Sequence, residues 1–118
     1  MTVRLDLSPE HQRIVLQVLT EHLPLGCKVW VFGSRASGRA RRYSDLDLAT
    51  DAGRRLTLDE AAILREAFEE CDLPYPVDIV DWHAIDDRFR QLIAAERVVL
   101  DIESQAGSNL RARRPENE

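Results

Sequence analysis

A chain of 118 residues with 44% hydrophobic and 31% charged residues has the size and balance of one ordinary globular domain with a single core. Its net charge of −5 excludes a surface given over as a whole to nucleic acid, so direct nucleic-acid binding is not expected. No stretch approaches membrane-spanning length, and Met1-Thr2-Val3-Arg4-Leu5-Asp6 carries an acid early with no long apolar run, so no signal peptide is read and a cytoplasmic location is expected.

Ser8-Pro9 is a helix start, with a hydroxyl to accept from free N–H groups and a ring that fits the first helical position. Ile14, Val15, Val18, Leu19 and His22 then recur at helical spacing up to Leu23-Pro24 and Gly26. Lys28-Val29-Trp30-Val31-Phe32 is an apolar, β-rich run stopped by Gly33, and it predicts a largely buried strand with Trp30 in the core. Residues 33–44 form a loop rich in Gly, Ser and Arg, with room for one helical turn after Ser34.

The alternation from Asp45 to Thr50 predicts a half-buried strand ended by Asp51-Ala52-Gly53. Thr57-Leu58-Asp59-Glu60 has capping-box spacing and opens a helix through Ala61, Ala62, Leu64, Ala67 and Phe68 to Cys71. Pro74-Tyr75-Pro76 breaks the chain before a third strand, Val77–Asp81. Asp86 caps a last helix carrying Phe89, Leu92 and Ile93, while Val98–Ile102 is ambiguous between helix extension and edge strand. Tyr43 is expected to pack under the loop, Trp82-His83 to lie in an exposed one, and His11 and His22 on helix surfaces. Cys27 and Cys71 have no metal-binding spacing and read as reduced, core-facing thiols.

The expected fold is therefore α/β, in the order α-β-loop-β-α-β-α: a small mixed sheet with helices packed on one side. The domain is expected over residues 1–103. Residues 104–118 are polar and Arg/Glu-rich, with too little apolar surface to offset their ordering, and read as a disordered tail.

Asp45 and Asp47 are two apart, so a strand sets both carboxylates on one face with Leu46 and Leu48 on the other. Adjacent carboxylates repel unless a cation lies between them, and all-oxygen ligation suits Mg²⁺ or Mn²⁺ rather than zinc. Gly33 allows a sharp turn and close approach of a phosphate, and Ser34 adds a hydroxyl and backbone N–H groups. A metal site facing a phosphate cradle fits a nucleoside triphosphate bound as its magnesium complex. Asp78 lies within the apolar run Val77–Val80, where an inward acid is costly without a partner; on a strand beside that of Asp45 and Asp47 it would complete a site for two ions and serve as general base or second-metal ligand. Asp81, on the opposite face by alternation, reads as a strand-end carboxylate.

Gly33-Ser34-Arg35-Ala36, followed by Ser44-Asp45-Leu46-Asp47-Leu48, resembles the motif of the minimal nucleotidyltransferases (MNT) of the polymerase-β-like superfamily, over roughly residues 10 to 100. The resemblance implies that fold, with Gly33 and Ser34 binding the triphosphate and Asp45, Asp47 and Asp78 as catalytic and metal-binding residues. Arg35, next to the Gly-Ser pair, is the first expected phosphate contact, ahead of Arg39, Arg41 and Arg42.

The implied chemistry is transfer of a nucleoside monophosphate to a hydroxyl with release of pyrophosphate. Short MNT chains often pair with a helical HEPN ribonuclease as antitoxin and toxin. The implied activity is transfer of AMP from ATP to a tyrosine of that toxin within a hetero-oligomer. Two alternatives stand beside it: a subunit of an aminoglycoside-type nucleotidyltransferase, and a non-catalytic antitoxin that acts by binding.

Overall fold

A computed structural model describes residues 5–100 of the chain. The expected tail, 104–118, lies outside the described residues. The elements are α1 (Pro9–His22), β1 (Lys28–Phe32), α2 (Ser34–Ser37), β2 (Leu46–Asp51), α3 (Leu58–Glu70), β3 (Val77–Asp81), a 3₁₀ turn (Trp82–Ala84), α4 (Asp87–Glu96) and β4 (Val98–Leu100). The strands form one mixed sheet in the order β3-β2-β1-β4, with β1 antiparallel to both neighbours and β2 parallel to β3.

The helix starts follow the local chemistry of their first turns. Ser8 Oγ accepts from the His11 N–H at 3.1 Å. Thr57 Oγ1 accepts from the Glu60 N–H at 3.0 Å while the Glu60 carboxylate accepts from the Thr57 N–H at 2.9 Å, a complete capping box. Asp86 caps α4 through the Phe89 N–H.

One face of the sheet carries the main core. Val29 and Val31, Leu46 and Leu48, and Leu100 are buried against Val15, Leu19, Leu64 and Phe68 of α1 and α3. Burying a leucine contributes about 1.5–3 kcal/mol, so the leucines at 46 and 48 alone fix the face that β2 presents inward, and with it the outward face of Asp47.

The other face is not bare, as had been expected from helices on one side only. Trp30, Phe32, Ala49 and Ile93 form a second cluster, joined by Val80, Trp82, Ile85 and Phe89. α4 therefore lies across the opposite face from α1 and α3. Trp30 is in the core as expected, its ring 5.1 Å from that of Trp82, with the Arg97 guanidinium 4.3 Å above it. Trp82 and His83 are accordingly half-buried rather than loop-exposed. The ambiguous segment after α4 is a strand, since Val98 and Leu100 point into the main core and Val29, Trp30 and Val31 of β1 offer an unpaired edge.

Arg35 corrects the sequence reading. Its side chain is 5% exposed and turns into the protein, where it donates to the carbonyl oxygens of Asp6 (3.1 Å), Ser44 (3.1 Å), Arg42 (3.1 Å) and Arg41 (3.4 Å). Its guanidinium stacks on Tyr75 at 3.8 Å, and the Tyr75 hydroxyl in turn meets Nδ1 of His11 at 3.0 Å. With its donors committed to main-chain carbonyls, Arg35 is the clasp of the loop before β2 and not a phosphate contact. Tyr43 does not share that interior; it is 62% exposed.

Arg35→Ala leaves buried carbonyls without donors, and it should lower stability by about 2–4 kcal/mol. Arg35→Lys should recover little of this, because an ammonium cannot span the fork that a guanidinium fills. Thermal unfolding measures both; an Arg35→Ala protein that melts like the parent would refute the clasp.

Candidate active site

β1 ends where β2 begins, because they are antiparallel, and β2 and β3 begin together, because they are parallel. Residues from three strands are thereby brought to one end of the sheet. The register there is Phe32 beside Asp47 and Asp47 beside Asp78. Paired residues of adjacent strands share a face, so Asp47 and Asp78 stand side by side on the α4 face of the sheet. Asp45 lies in the last loop position, since β2 starts at Leu46, one residue later than the alternation suggested. Asp45 and Asp78 are exposed and Asp47 is half-buried.

Gly33 follows β1 directly with φ 77° and ψ −155°, a conformation reserved in practice for glycine. A Cβ there would collide with Oδ2 of Asp47 and lie 3.2 Å from its Cγ. The missing side chain is thus what lets the backbone lie against the carboxylate. Ser34 opens the single turn of α2, which Gly38 ends with φ 78°. The turn anticipated after Ser34 is present, and its Ala36 is buried in the main core.

A fourth acid, absent from the candidates read in the sequence, stands at this place. Glu96, the last residue of α4, accepts a hydrogen bond from the Gly33 N–H at 2.9 Å through Oε2, and its Oε1 lies 3.7 Å from Nη2 of Arg39. Arg39 is therefore the loop arginine whose head group reaches the site. Only one sequence signal pointed at Glu96: an acid at the C-terminal end of a helix, where the macrodipole disfavours it.

Burial, and then the charges of Asp78, Asp45 and Glu96, push the Asp47 carboxyl up to about 6. Four acids with one exposed arginine among them leave a deficit of positive charge, and oxygen donors of this kind suit a hard divalent cation. Among the described residues no His, Cys, Asp or Glu side chains form a ready-made cage of three or more ligands. The far end of the sheet is separate. There Asp81 caps the 3₁₀ turn through the His83 N–H and accepts from the Leu56 N–H at 2.7 Å, as its strand-end reading implied, and His83 Nε2 meets Asp51 at 2.6 Å.

Fold and site together define a nucleotidyltransferase of the polymerase β type. The family described as Polymerase beta, Nucleotidyltransferase matches residues 18–105, and the chain belongs to it. It is 41% identical, over 97 residues that cover 82% of this chain and 84% of the relative, to the Haemophilus influenzae protein named Probable protein adenylyltransferase MntA. Its fold is shared by a toxin–antitoxin crystal structure with AMP-PNP (TM-score 0.66, 22% identity, 89% of this chain and 90% of that one). The fold also occurs in a complex of an MNT antitoxin with a tri-AMPylated Shewanella oneidensis HEPN toxin (TM-score 0.54, 18% identity, 89% and 87% covered).

Two substitutions test the geometry. Gly33→Ala should cost about 1–3 kcal/mol of stability from its backbone conformation alone, and should displace Asp47 as well. Asp47 titrates higher in the folded than in the unfolded chain. Its favourable contribution to metal-free stability is therefore full below pH about 4 and lost as pH rises through about 6. Metal-free Asp47→Asn should accordingly melt higher than the parent at pH 8, with the gap closing toward pH 4; a parent that is the more stable at pH 8 contradicts this.

Proposed function

We propose that this chain transfers AMP from ATP to a tyrosine hydroxyl of a HEPN-type toxin with which it assembles in the cytoplasm, and so acts as an antitoxin. The observation that carries the chemistry is the register of Asp47 with Asp78, beside a glycine whose backbone lies against Asp47. The named activity of the Haemophilus influenzae relative and the AMPylated toxin bound by an MNT antitoxin support the choice of nucleotide and acceptor. The catalytic domain is taken as residues 1–103.

On this reading Gly33 and Ser34 receive the triphosphate, and Asp45, Asp47 and Asp78 hold one or two Mg²⁺ ions. Mg²⁺ keeps several waters and is bound through few carboxylates together with substrate phosphates, which suits an open row of acids better than a closed cage. When bound, the ions neutralise charge on the phosphates and lower the proton affinity of the attacking hydroxyl.

The residues of the chain supply the rest. Gly33 admits the triphosphate to within reach of Asp47 because it has no side chain. Arg39, exposed and beside Glu96, contacts the phosphates in the role first expected of Arg35. Asp78, exposed beside Asp47, accepts the proton of the incoming hydroxyl. That oxygen bonds to the α-phosphorus as the bond to the bridging oxygen of the β-phosphate breaks, and pyrophosphate leaves.

The test is incubation of the HEPN partner with this chain, Mg²⁺ and ATP labelled at the α-phosphate. Label should appear on a tyrosine of the partner. It should fall by roughly 100-fold or more with Asp45→Asn/Asp47→Asn, in line with the loss of a main electrostatic contribution, and disappear with a chelator. An unlabelled partner, alongside a labelled control pair from an active relative, overturns the reading. So does a double variant that still fully protects cells from the toxin, which would leave occlusion as the mechanism.

A further inference from the structure

We propose that Glu96 is a positioning residue for nucleotide binding: it tethers the N–H of Gly33 and so holds the phosphate loop against Asp47. This rests on the reading of residues 33–34 as the place of the triphosphate.

Gly33 occupies a strained conformation and must be kept there by its surroundings. Its carbonyl is fixed from one side, accepting from the Ala36 N–H at 3.1 Å and from Ser37 Oγ at 3.0 Å. Its N–H is fixed from the other side, and by a residue 63 positions away, through the 2.9 Å bond to Oε2 of Glu96. The bond links the end of α4 to the loop that leaves β1, while α4 and β1 themselves pack through residues such as Phe32 and Phe89.

The position of Glu96 has a cost that points the same way. It sits at the negative end of α4, a helix with no basic residue in its last turn, and beside a row of acids. Neither helix stability nor the carboxylate row gains from an acid here. What it gains is the Gly33 N–H and, through its second oxygen, the approach of Arg39.

Three variants separate tethering from charge. Glu96→Gln keeps an oxygen that can accept from the Gly33 N–H. Glu96→Asp keeps the charge but is one methylene too short, and Glu96→Ala removes both. In the nucleotide-free protein, amide exchange at Gly33 should stay slow in Glu96→Gln and become fast in Glu96→Asp and Glu96→Ala. Binding of AMP-PNP with Mg²⁺ should weaken about tenfold or more in the latter two and little in Glu96→Gln, as expected for loss of one charge-assisted hydrogen bond. In the transfer assay the KM for ATP should rise with kcat far less changed.

If Glu96→Gln and Glu96→Ala both bind AMP-PNP as tightly as the parent or more tightly, the carboxylate competes with phosphate and the proposal fails. It fails equally if Glu96→Asp behaves as the parent while Glu96→Gln behaves as Glu96→Ala, the pattern of a metal ligand. A parent that binds no AMP-PNP overturns the nucleotide reading instead, and exchange at Gly33, which needs no nucleotide, still decides the tether. Should Glu96→Ala not fold, the comparison of Asp with Gln stands by itself.

Discussion

Asp47 and Asp78 are neighbours in the β2–β3 ladder, and much of the structure follows from keeping two like charges there. Among the described residues no ion pair reaches either of them. Partial burial, and then repulsion from the neighbouring acids, pushes Asp47 up to about 6, so the metal-free fold tolerates the arrangement rather than benefits from it. The register can persist because it is fixed elsewhere. Leu46, Leu48 and their partners Val77 and Ile79 pack into the main core, and a slip of one residue would turn both leucines outward. Apolar burial on one face thus holds the acids in place on the other.

The loop that completes the site is organised on the same plan. Residues 38–45 contain no apolar anchor of their own, and their order comes from the Arg35 guanidinium reaching back to three of their carbonyls. The same side chain binds the Asp6 carbonyl and covers Tyr75, which lies two residues before β3. One buried cation therefore connects the start of the chain, the approach to β2 and the approach to β3. Asp45 stands just past this clasp, so its placement depends on Arg35 even though the two side chains serve different ends.

Most of the scaffold was legible in the sequence because its signals are local. Ser8-Pro9, the Thr57/Glu60 pair, the stop at Gly33 and the Val77–Asp81 run each contain their own explanation, and the elements they mark are present. The Gly-Ser and Asp-x-Asp spacing likewise named the residues that the sheet gathers, and Asp78 joined them once β3 proved to lie beside β2. The misreadings share one cause. Arg35 was read by its adjacency to Ser34, yet the direction of a side chain at a strand–helix turn is set by tertiary partners such as Tyr75 and Asp6. Glu96 lies 63 positions from the glycine it meets, and nothing in the pattern of α4 announces that contact. The second helical layer was missed for a related reason. Trp30, Phe32 and Ala49 show an apolar outward face, but a fully apolar strand such as β1 does not reveal which element covers each side.

The two faces of the sheet differ in a way that limits how an acceptor can arrive. The face under α1 and α3 is filled by core side chains from Val29 to Leu100, which closes that approach. On the other face α4 covers Trp30 and Phe32, while Asp78, in the next row of the sheet beyond Val80, is exposed. On the proposed function an incoming hydroxyl would therefore reach the carboxylates from the α4 side, across the open end of β2 and β3. Of the groups that bound that opening, Asp45, Asp78 and Arg39 are exposed polar side chains. A surface of this kind gives orientation to charged phosphates but little shape for an acceptor. On the function proposed here, the protein that carries the tyrosine must then supply its own complementarity at this end of the sheet, and specificity for the acceptor lies largely in the docking of two proteins rather than in a pocket of this one.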